Sequence, residues 1–164
     1  MQLLFVCTGN TCRSPLAEAA WRRFGDKSIR ASSAGLAATN GAPISPHSAL
    51  VAKNWNEDLE NHRARRITDT LARGADYLIA MTASHASELQ ARFPQSKVLI
   101  LGDYASREET SNSIVATELQ ELFGEAPGDI LDPIGGSLEA YQACGEHIER
   151  AIKGLAAALR EGRV

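Results

Sequence analysis

Short apolar runs alternate with longer amphipathic segments along the chain. The runs are bounded by polar residues, which is typical of strands buried on both faces; they are QLLFV at 2–6, a weaker run at 28–34, YLIAM at 77–81 and KVLIL at 97–101. Helices are predicted between and after these runs, at residues 14–24, 46–55, 82–93 and 137–160. This alternation predicts a single α/β domain over residues 1–164, with three layers (αβα) built on a four-stranded parallel sheet.

Two local features refine this pattern. Ser14 and Pro15 predict the start of the first helix, because Ser can cap a helix and Pro is preorganised for its first position. The one long interruption is an acidic segment at about 103–131, in which seven acidic residues accompany a single base, Arg107. We interpret it as an insertion with a solvated face and a short helix, whose apolar side holds Val115, Leu119 and Leu122.

Composition excludes several classes of protein. The 164 residues are 44% hydrophobic and 23% charged, enough to bury a core, and no apolar stretch approaches the roughly 20 residues of a membrane span. No Lys or Arg precedes the apolar start of the chain, so we expect no secretory signal and a cytoplasmic location. Three cysteines fit a reducing compartment. The net charge of -3 gives no reason to expect nucleic-acid binding.

The loop after the first strand has the strongest chemical signature. It reads CTGNTCRSP over residues 7–15, between a predicted strand and a predicted helix. Such a loop can converge several backbone N–H groups on one anion, with Gly9 permitting the tight path and the helix N-terminus adding positive charge. Arg13 can grip two phosphate oxygens, and the same field favours a nucleophilic thiolate at Cys7. The loop therefore predicts a phosphate site with a cysteine nucleophile.

In this loop and over nearly its full length, the chain resembles the low-molecular-weight protein tyrosine phosphatase family, most strongly at residues 3–20. The resemblance implies that Cys7 is the nucleophile and Arg13 the phosphate clamp. The implied phosphate loop comprises Thr8, Gly9, Asn10, Thr11, Cys12, Arg13 and Ser14. Hydrogen bonds that support the loop are expected from Asn10, Ser14, Ser33 and His62, the last within the segment HRARRI.

A second catalytic element is implied far downstream. Asp132-Pro133 alone indicates a turn, but the resembling family has an Asp-Pro before its last helix that supplies the general acid. Asp132 would protonate the leaving group and then activate water against a phosphocysteine intermediate. Arg13 and the backbone N–H groups would handle the phosphoryl charge, so we expect neither metal nor cofactor. The expected partner is a phosphorylated protein, with inorganic phosphate as product and the enzyme acting as a monomer.

Two departures from the tyrosine-phosphatase pattern bear on the substrate. Residues that flank a phenyl ring in such enzymes are aromatic, whereas here Asp132-Pro133 is followed by Ile134-Gly135 and the loop after the second strand, residues 36–40, is LAATN. Thr11 also stands where tyrosine phosphatases often have Ile, which is similar to the protein-arginine phosphatase branch. A hydroxyl could hydrogen-bond a guanidinium or orient water; drift at a tolerant position is the alternative. Phosphotyrosine and phosphoarginine both stay open.

The other cysteines separate the remaining hypotheses. Cys12 is a candidate redox partner of Cys7, and an inert buried thiol is the alternative; Cys144 falls on the apolar face of the last helix and indicates core packing. Arsenate reductase, a different enzyme on the same fold, needs two further relay cysteines, which residues 80–101 lack. A non-catalytic phosphate-binding module would be expected to lose Cys7 or Asp132, and the chain has both.

Overall fold

A four-stranded parallel sheet organises the molecule, as the computed structural model describes it for residues 1–105 and 128–164. Its strands are β1 (Gln2–Cys7), β2 (Arg30–Gly35), β3 (Tyr77–Ala80) and β4 (Val98–Ile100). Neighbours pair in the order β2-β1-β3-β4, and every pairing is parallel. Each strand overlaps a predicted run, and the predicted α/β class with a four-stranded parallel sheet is confirmed.

Five helices accompany the sheet within the described residues: α1 (Arg13–Phe24), α2 (Pro46–Lys53), α3 (Asp69–Arg73), α4 (Ala83–Arg92) and α5 (Leu138–Arg160). A 3-10 turn follows β4 at Leu101–Tyr104. Neither α3 nor this turn was predicted, because elements of four or five residues give no measurable periodicity.

One local prediction is wrong. The residue that precedes α1 is Cys12, whose side chain makes no capping hydrogen bond. Ser14 lies inside the first turn, and Pro15 follows it rather than opening the helix. The hydroxyl of Ser14 is instead used by the loop, as described below, so the Ser-Pro pair marks the start of the helix without capping it.

Apolar side chains cover both faces of the sheet. Successive side chains of a strand point to opposite faces, so Leu3 and Phe5 pack with α1 and α5 on one side, while Leu4 and Val6 pack with α4 on the other. All four are fully buried. This explains the continuous apolar run of β1 and gives the helix–sheet–helix layering.

The strand order creates a crevice at the carboxyl end of β1. The chain leaves β1 towards β2 on one side, and β3 pairs with β1 on the other, which is the arrangement where open α/β sheets bind ligands. Cys7 is in register with Gly35 at the end of β2. A Cβ atom on Gly35 would lie 2.6 Å from the carbonyl oxygen of Thr8, so glycine permits the close approach of these two chain segments.

Most of the acidic segment, including the helix predicted around Val115, Leu119 and Leu122, lies outside the described residues. The interpretation of residues 103–131 as an insertion in a single domain stays a prediction. Among the described helices, none is both long and apolar enough to cross a membrane.

Candidate active site

Cys7 ends β1 and lies at the bottom of the crevice, only 3% exposed. Its Sγ atom is 3.0 Å from the hydroxyl of Ser14, which belongs to the first turn of α1. Either atom can be the donor, and the same hydroxyl lies 3.4 Å from the carbonyl of Ala34, to which it can donate. The strand and the helix thus hold the Cys7 sulfur and a hydroxyl in hydrogen-bond contact.

Asn10 fixes the path of the loop between them. Its backbone adopts φ +55°, in the left-handed region that Asn tolerates better than most residues. Its Nδ2 donates to the Ser14 hydroxyl at 2.9 Å, and its Oδ1 accepts from the backbone N–H of Arg65 at 3.0 Å. The Nε2 of His62 donates to the Asn10 carbonyl at 2.7 Å. Three of the four residues expected to support the loop therefore converge on its centre.

The fourth, Ser33, lies further away. Its hydroxyl donates to Glu18 at 2.7 Å, and its carbonyl accepts from the Arg65 side chain at 2.9 Å. The backbone N–H of Arg65 in turn donates to Asn10. Ser33 thus reaches the loop through Arg65 rather than directly.

The backbone of the loop is arranged for an anion. Within residues 1–105 and 128–164, no backbone N–H of residues 8–12 donates to a protein acceptor. The loop runs directly into the N-terminus of α1, where the helix dipole adds partial positive charge. Free N–H donors beside a helix N-terminus suit the oxygens of a phosphoryl group.

Arg13 joins the loop to the Asp132 segment. It is 5% exposed; one terminal nitrogen donates to the carbonyl of Ile130 at 3.0 Å, and the other donates to Oδ2 of Asp132 at 3.1 Å. The second oxygen of Asp132 accepts from the backbone N–H of Ile134 at 3.1 Å. The side chain of Asp132 is 41% exposed, so a carboxyl group stands at the mouth of the crevice, 119 residues along the chain from its partner.

Two contributors to the site were not predicted from the sequence. His85, in the first turn of α4, has its Nε2 2.8 Å from the hydroxyl of Thr8, and burial and the charge of Arg13 lower the pKa of the imidazole. Asp129, which is 8% exposed, accepts from the backbone N–H of Ala83 at 2.7 Å. His85 lies just after β3, which pairs with β1. Because parallel strands end at the same edge of a sheet, this position was the available signal that His85 lies near the loop after β1.

The remaining loop and cysteine residues differ in accessibility. Thr11 is partly exposed in the loop, whereas Cys12 and Cys144 are buried. Burial raises the pKa of Cys12 to about 12 and also raises the pKa of the Cys144 thiol. Among the described residues, no group of three or more His, Cys, Asp or Glu side chains could hold a metal ion.

Comparisons with known proteins identify the family of the chain. The family model of low molecular weight phosphotyrosine protein phosphatase matches residues 2–164. A protein-arginine-phosphatase of Bacillus subtilis is 32% identical, with 99% of each chain covered. The low molecular weight protein-tyrosine-phosphatase Wzb of Salmonella typhi is 34% identical, covering 96% of this chain and 93% of the relative.

A solved structure extends the comparison. It is the YwlE arginine phosphatase mutant with a phosphorylated active-site serine, 30% identical, which covers 99% of this chain and 98% of its own with a TM-score of 0.80. These matches cover nearly the whole sequence, and the chain belongs to the low molecular weight phosphotyrosine protein phosphatase family.

Proposed function

We propose that the protein removes phosphoryl groups from phosphorylated proteins through a phosphocysteine at Cys7, and that phosphoarginine is among its substrates. The observation that carries the proposal is the contact set around Cys7: Ser14 lies 3.0 Å from its sulfur, and Arg13 links the same loop to Asp132. A nucleophile, an anion site and a proton donor are the three groups that phosphoryl transfer without a metal requires.

In the first step, the Cys7 thiolate attacks phosphorus in line with the leaving group. The S–P bond forms as the bond from phosphorus to oxygen or nitrogen breaks, and Asp132 gives its proton to the departing atom. The loop N–H groups bind the three non-bridging oxygens. Arg13 uses two of its five N–H donors on Ile130 and Asp132, which leaves donors for the phosphoryl group.

In the second step, the intermediate is hydrolysed. The Asp132 carboxylate takes a proton from water, and the oxygen attacks phosphorus as the S–P bond breaks. Inorganic phosphate leaves and the thiolate of Cys7 returns. The hydroxyl of Ser14, 3.0 Å from the sulfur, then donates to this thiolate, which has no proton of its own to give, and so stabilises it as the leaving group.

The walls of the crevice support phosphoarginine as a substrate. Ile134, whose backbone N–H donates to Asp132, is 74% exposed. Like Leu36 and Ala38 after β2, it is aliphatic, so none of these three offers an aromatic face to stack on a phenyl ring. Thr11 adds a partly exposed hydroxyl to the loop. A relative with similar coverage carries the name protein-arginine-phosphatase, which supports the same substrate.

Parallel kinetics on two phosphopeptides of one sequence, one phosphorylated on arginine and one on tyrosine, test the proposal. We expect kcat/KM for phosphoarginine to equal or exceed that for phosphotyrosine. Acid quenching followed by mass spectrometry should locate a phosphoryl group on the peptide that contains Cys7. Cys7→Ser should abolish turnover, because an alcohol is barely ionised at neutral pH.

Different results contradict different parts. Turnover by Cys7→Ser would exclude the cysteine mechanism. No turnover of the phosphoarginine peptide would leave a phosphatase restricted to phosphotyrosine. The chain lacks the pair of relay cysteines that arsenate reduction needs, since Cys12 and Cys144 are the only cysteines besides Cys7 and both are buried. A monomeric state and a cytoplasmic location stay predictions.

A further inference from the structure

The junction between β3 and α4, residues 81–85, lies between the two segments that meet in the site. On one side it holds the Asp132 segment by two hydrogen bonds. The backbone N–H of Ala83 donates to Oδ1 of Asp129 at 2.7 Å, and the backbone N–H of Ile130 donates to the carbonyl of Met81 at 2.9 Å. The first residue of α4 therefore binds a carboxylate three residues before Asp132.

On its other side the junction holds the phosphate loop. The imidazole of His85 is hydrogen-bonded to the Thr8 hydroxyl at 2.8 Å, while the backbone N–H of His85 donates to Thr82, which caps the helix. Thr8 directly follows Cys7. One helix start therefore contacts both the loop of the nucleophile and the segment of the proton donor.

Asp129 is the buried anchor of the Asp132 segment. It is 8% exposed, whereas the Asp132 side chain is 41% exposed and is held by Arg13 and by its own turn. Between them, the carbonyl of Ile130 accepts from the other nitrogen of Arg13. A shift of Asp129 would thus move Ile130 and Asp132 relative to Arg13. A carboxylate at a helix N-terminus is also favoured by the dipole, which suits an anchor.

We propose that Asp129 is a positioning residue for the general acid: by capping α4 at Ala83 it sets the place of Asp132 over the phosphate loop. This inference rests on the proposed function, in which Asp132 protonates the leaving group. Its signature is a defect that grows with the basicity of the leaving group, because only a poor leaving group needs the proton. A purely structural role would slow all substrates alike.

Asp129→Ala should be measured on phenyl phosphate and on para-nitrophenyl phosphate. We expect kcat/KM on phenyl phosphate to fall by about tenfold to a hundredfold, as for a displacement of about 1 Å in a catalytic group. On the activated ester the loss in kcat/KM should stay below about threefold, since nitrophenolate leaves with little assistance. The readout is kcat/KM because it ends at phosphoryl transfer to Cys7, whereas kcat also contains the hydrolysis step in which Asp132 acts for every substrate. Asp129→Asn keeps an oxygen that accepts from Ala83 and should recover most of the rate.

Ala83→Pro provides an independent route to the same defect. Proline lacks the N–H that Asp129 accepts, yet it is tolerated at the first position of a helix, and Thr82 already has the extended backbone that precedes proline. It should reproduce the leaving-group dependence with Asp129 intact. Thr82→Ala is the matched control: it removes a cap of the same helix and should slow both substrates equally or not at all.

The controls separate the two ideas. Asp132→Asn should show the leaving-group dependence itself, and adding Asp129→Ala to it should produce no further selective loss. If Asp132→Asn lacks that dependence, the proposed function fails. If Asp132→Asn shows it but Asp129→Ala and Ala83→Pro slow both esters equally, Asp129 has only a structural role and this inference is overturned.

Discussion

Asn10 is the residue whose replacement should reveal how much the loop depends on its left-handed backbone. Asn10→Ala removes the side-chain hydrogen bonds to Ser14 and Arg65, worth about 1 kcal/mol each. It also places an alanine at φ +55°, which costs about 1–2 kcal/mol. We therefore expect the free energy of unfolding to fall by about 3–4 kcal/mol, out of roughly 5–15 kcal/mol in total.

Asn10→Gly isolates the backbone contribution, because glycine adopts positive φ without a steric penalty. It loses the same two hydrogen bonds and should cost about 2 kcal/mol. Asn56 is the matched control: it also has positive φ, +58°, but lies exposed after α2. Asn56→Ala should cost about 1–2 kcal/mol and leave kcat/KM unchanged.

Urea unfolding followed by circular dichroism measures these differences, and kcat/KM is measured on the same samples. Both Asn10 variants should lose activity on phenyl and nitrophenyl phosphate alike, because the loop binds the phosphoryl group and not the leaving group. If Asn10→Gly is less stable than Asn10→Ala, the positive φ of residue 10 does not limit stability. If the free energy of unfolding falls by less than about 1 kcal/mol in both variants, the hydrogen bonds of Asn10 do not stabilise the protein as expected.

Three further results are expected. Thr11→Ile should shift the ratio of kcat/KM values towards phosphotyrosine and leave phosphocysteine formation intact, because it replaces a hydroxyl by an apolar group; an unchanged ratio would contradict a role in specificity. If Cys12 resolves oxidised Cys7, a dithiol should restore the activity of peroxide-treated enzyme, and Cys12→Ser should make the loss of activity largely irreversible. Because burial raises the pKa of Cys12 to about 12, the recoverable fraction of activity should increase with pH. Equal recovery of the unsubstituted protein and Cys12→Ser would leave Cys12 as a packing residue. Burial lowers the pKa of His85 and His147 below 6.5, so both bind a proton more readily in the unfolded chain. The free energy of unfolding should therefore decrease as pH falls below 6.5. Urea titrations at several pH values should show a smaller decrease for His85→Gln, and an equal dependence on pH would exclude a contribution from His85.

The strands and the loop were predictable because their signals are local. Each apolar run needs only its own residues to indicate burial on both faces, and CTGNTCRSP carries its chemistry in one continuous segment. The start of α1 was the weak point. Ser14 has the side chain of a capping residue, but its hydroxyl is committed to Cys7 and Asn10, a competition that no local pattern reveals.

Long-range partners could be reached from the sequence only through the resemblance. His62 and Arg65 contact Asn10 from more than fifty residues away, and a histidine in a charged segment does not indicate such a bond. Asp129 and His85 escaped prediction for the same reason, since an acidic residue near an acidic segment and a histidine at a helix start have ordinary structural explanations. Their roles depend on which strand ends meet, which the order β2-β1-β3-β4 decides.

The contacts divide the site into two parts, which are joined by Arg13 and by the start of α4. Cys7 and its loop are held by Ser14, Asn10 and the His62 segment, whereas Asp132 is held by Arg13 and, through Asp129, by α4. Within residues 1–105 and 128–164, Arg13 is the loop side chain that bonds to the Asp132 segment. Damage to the Asp132 side should therefore leave a nucleophile that still accepts the phosphoryl group of activated esters, while damage to the loop should slow this transfer from every substrate. The dependence of kcat/KM on the leaving group thus identifies which part a given substitution has reached.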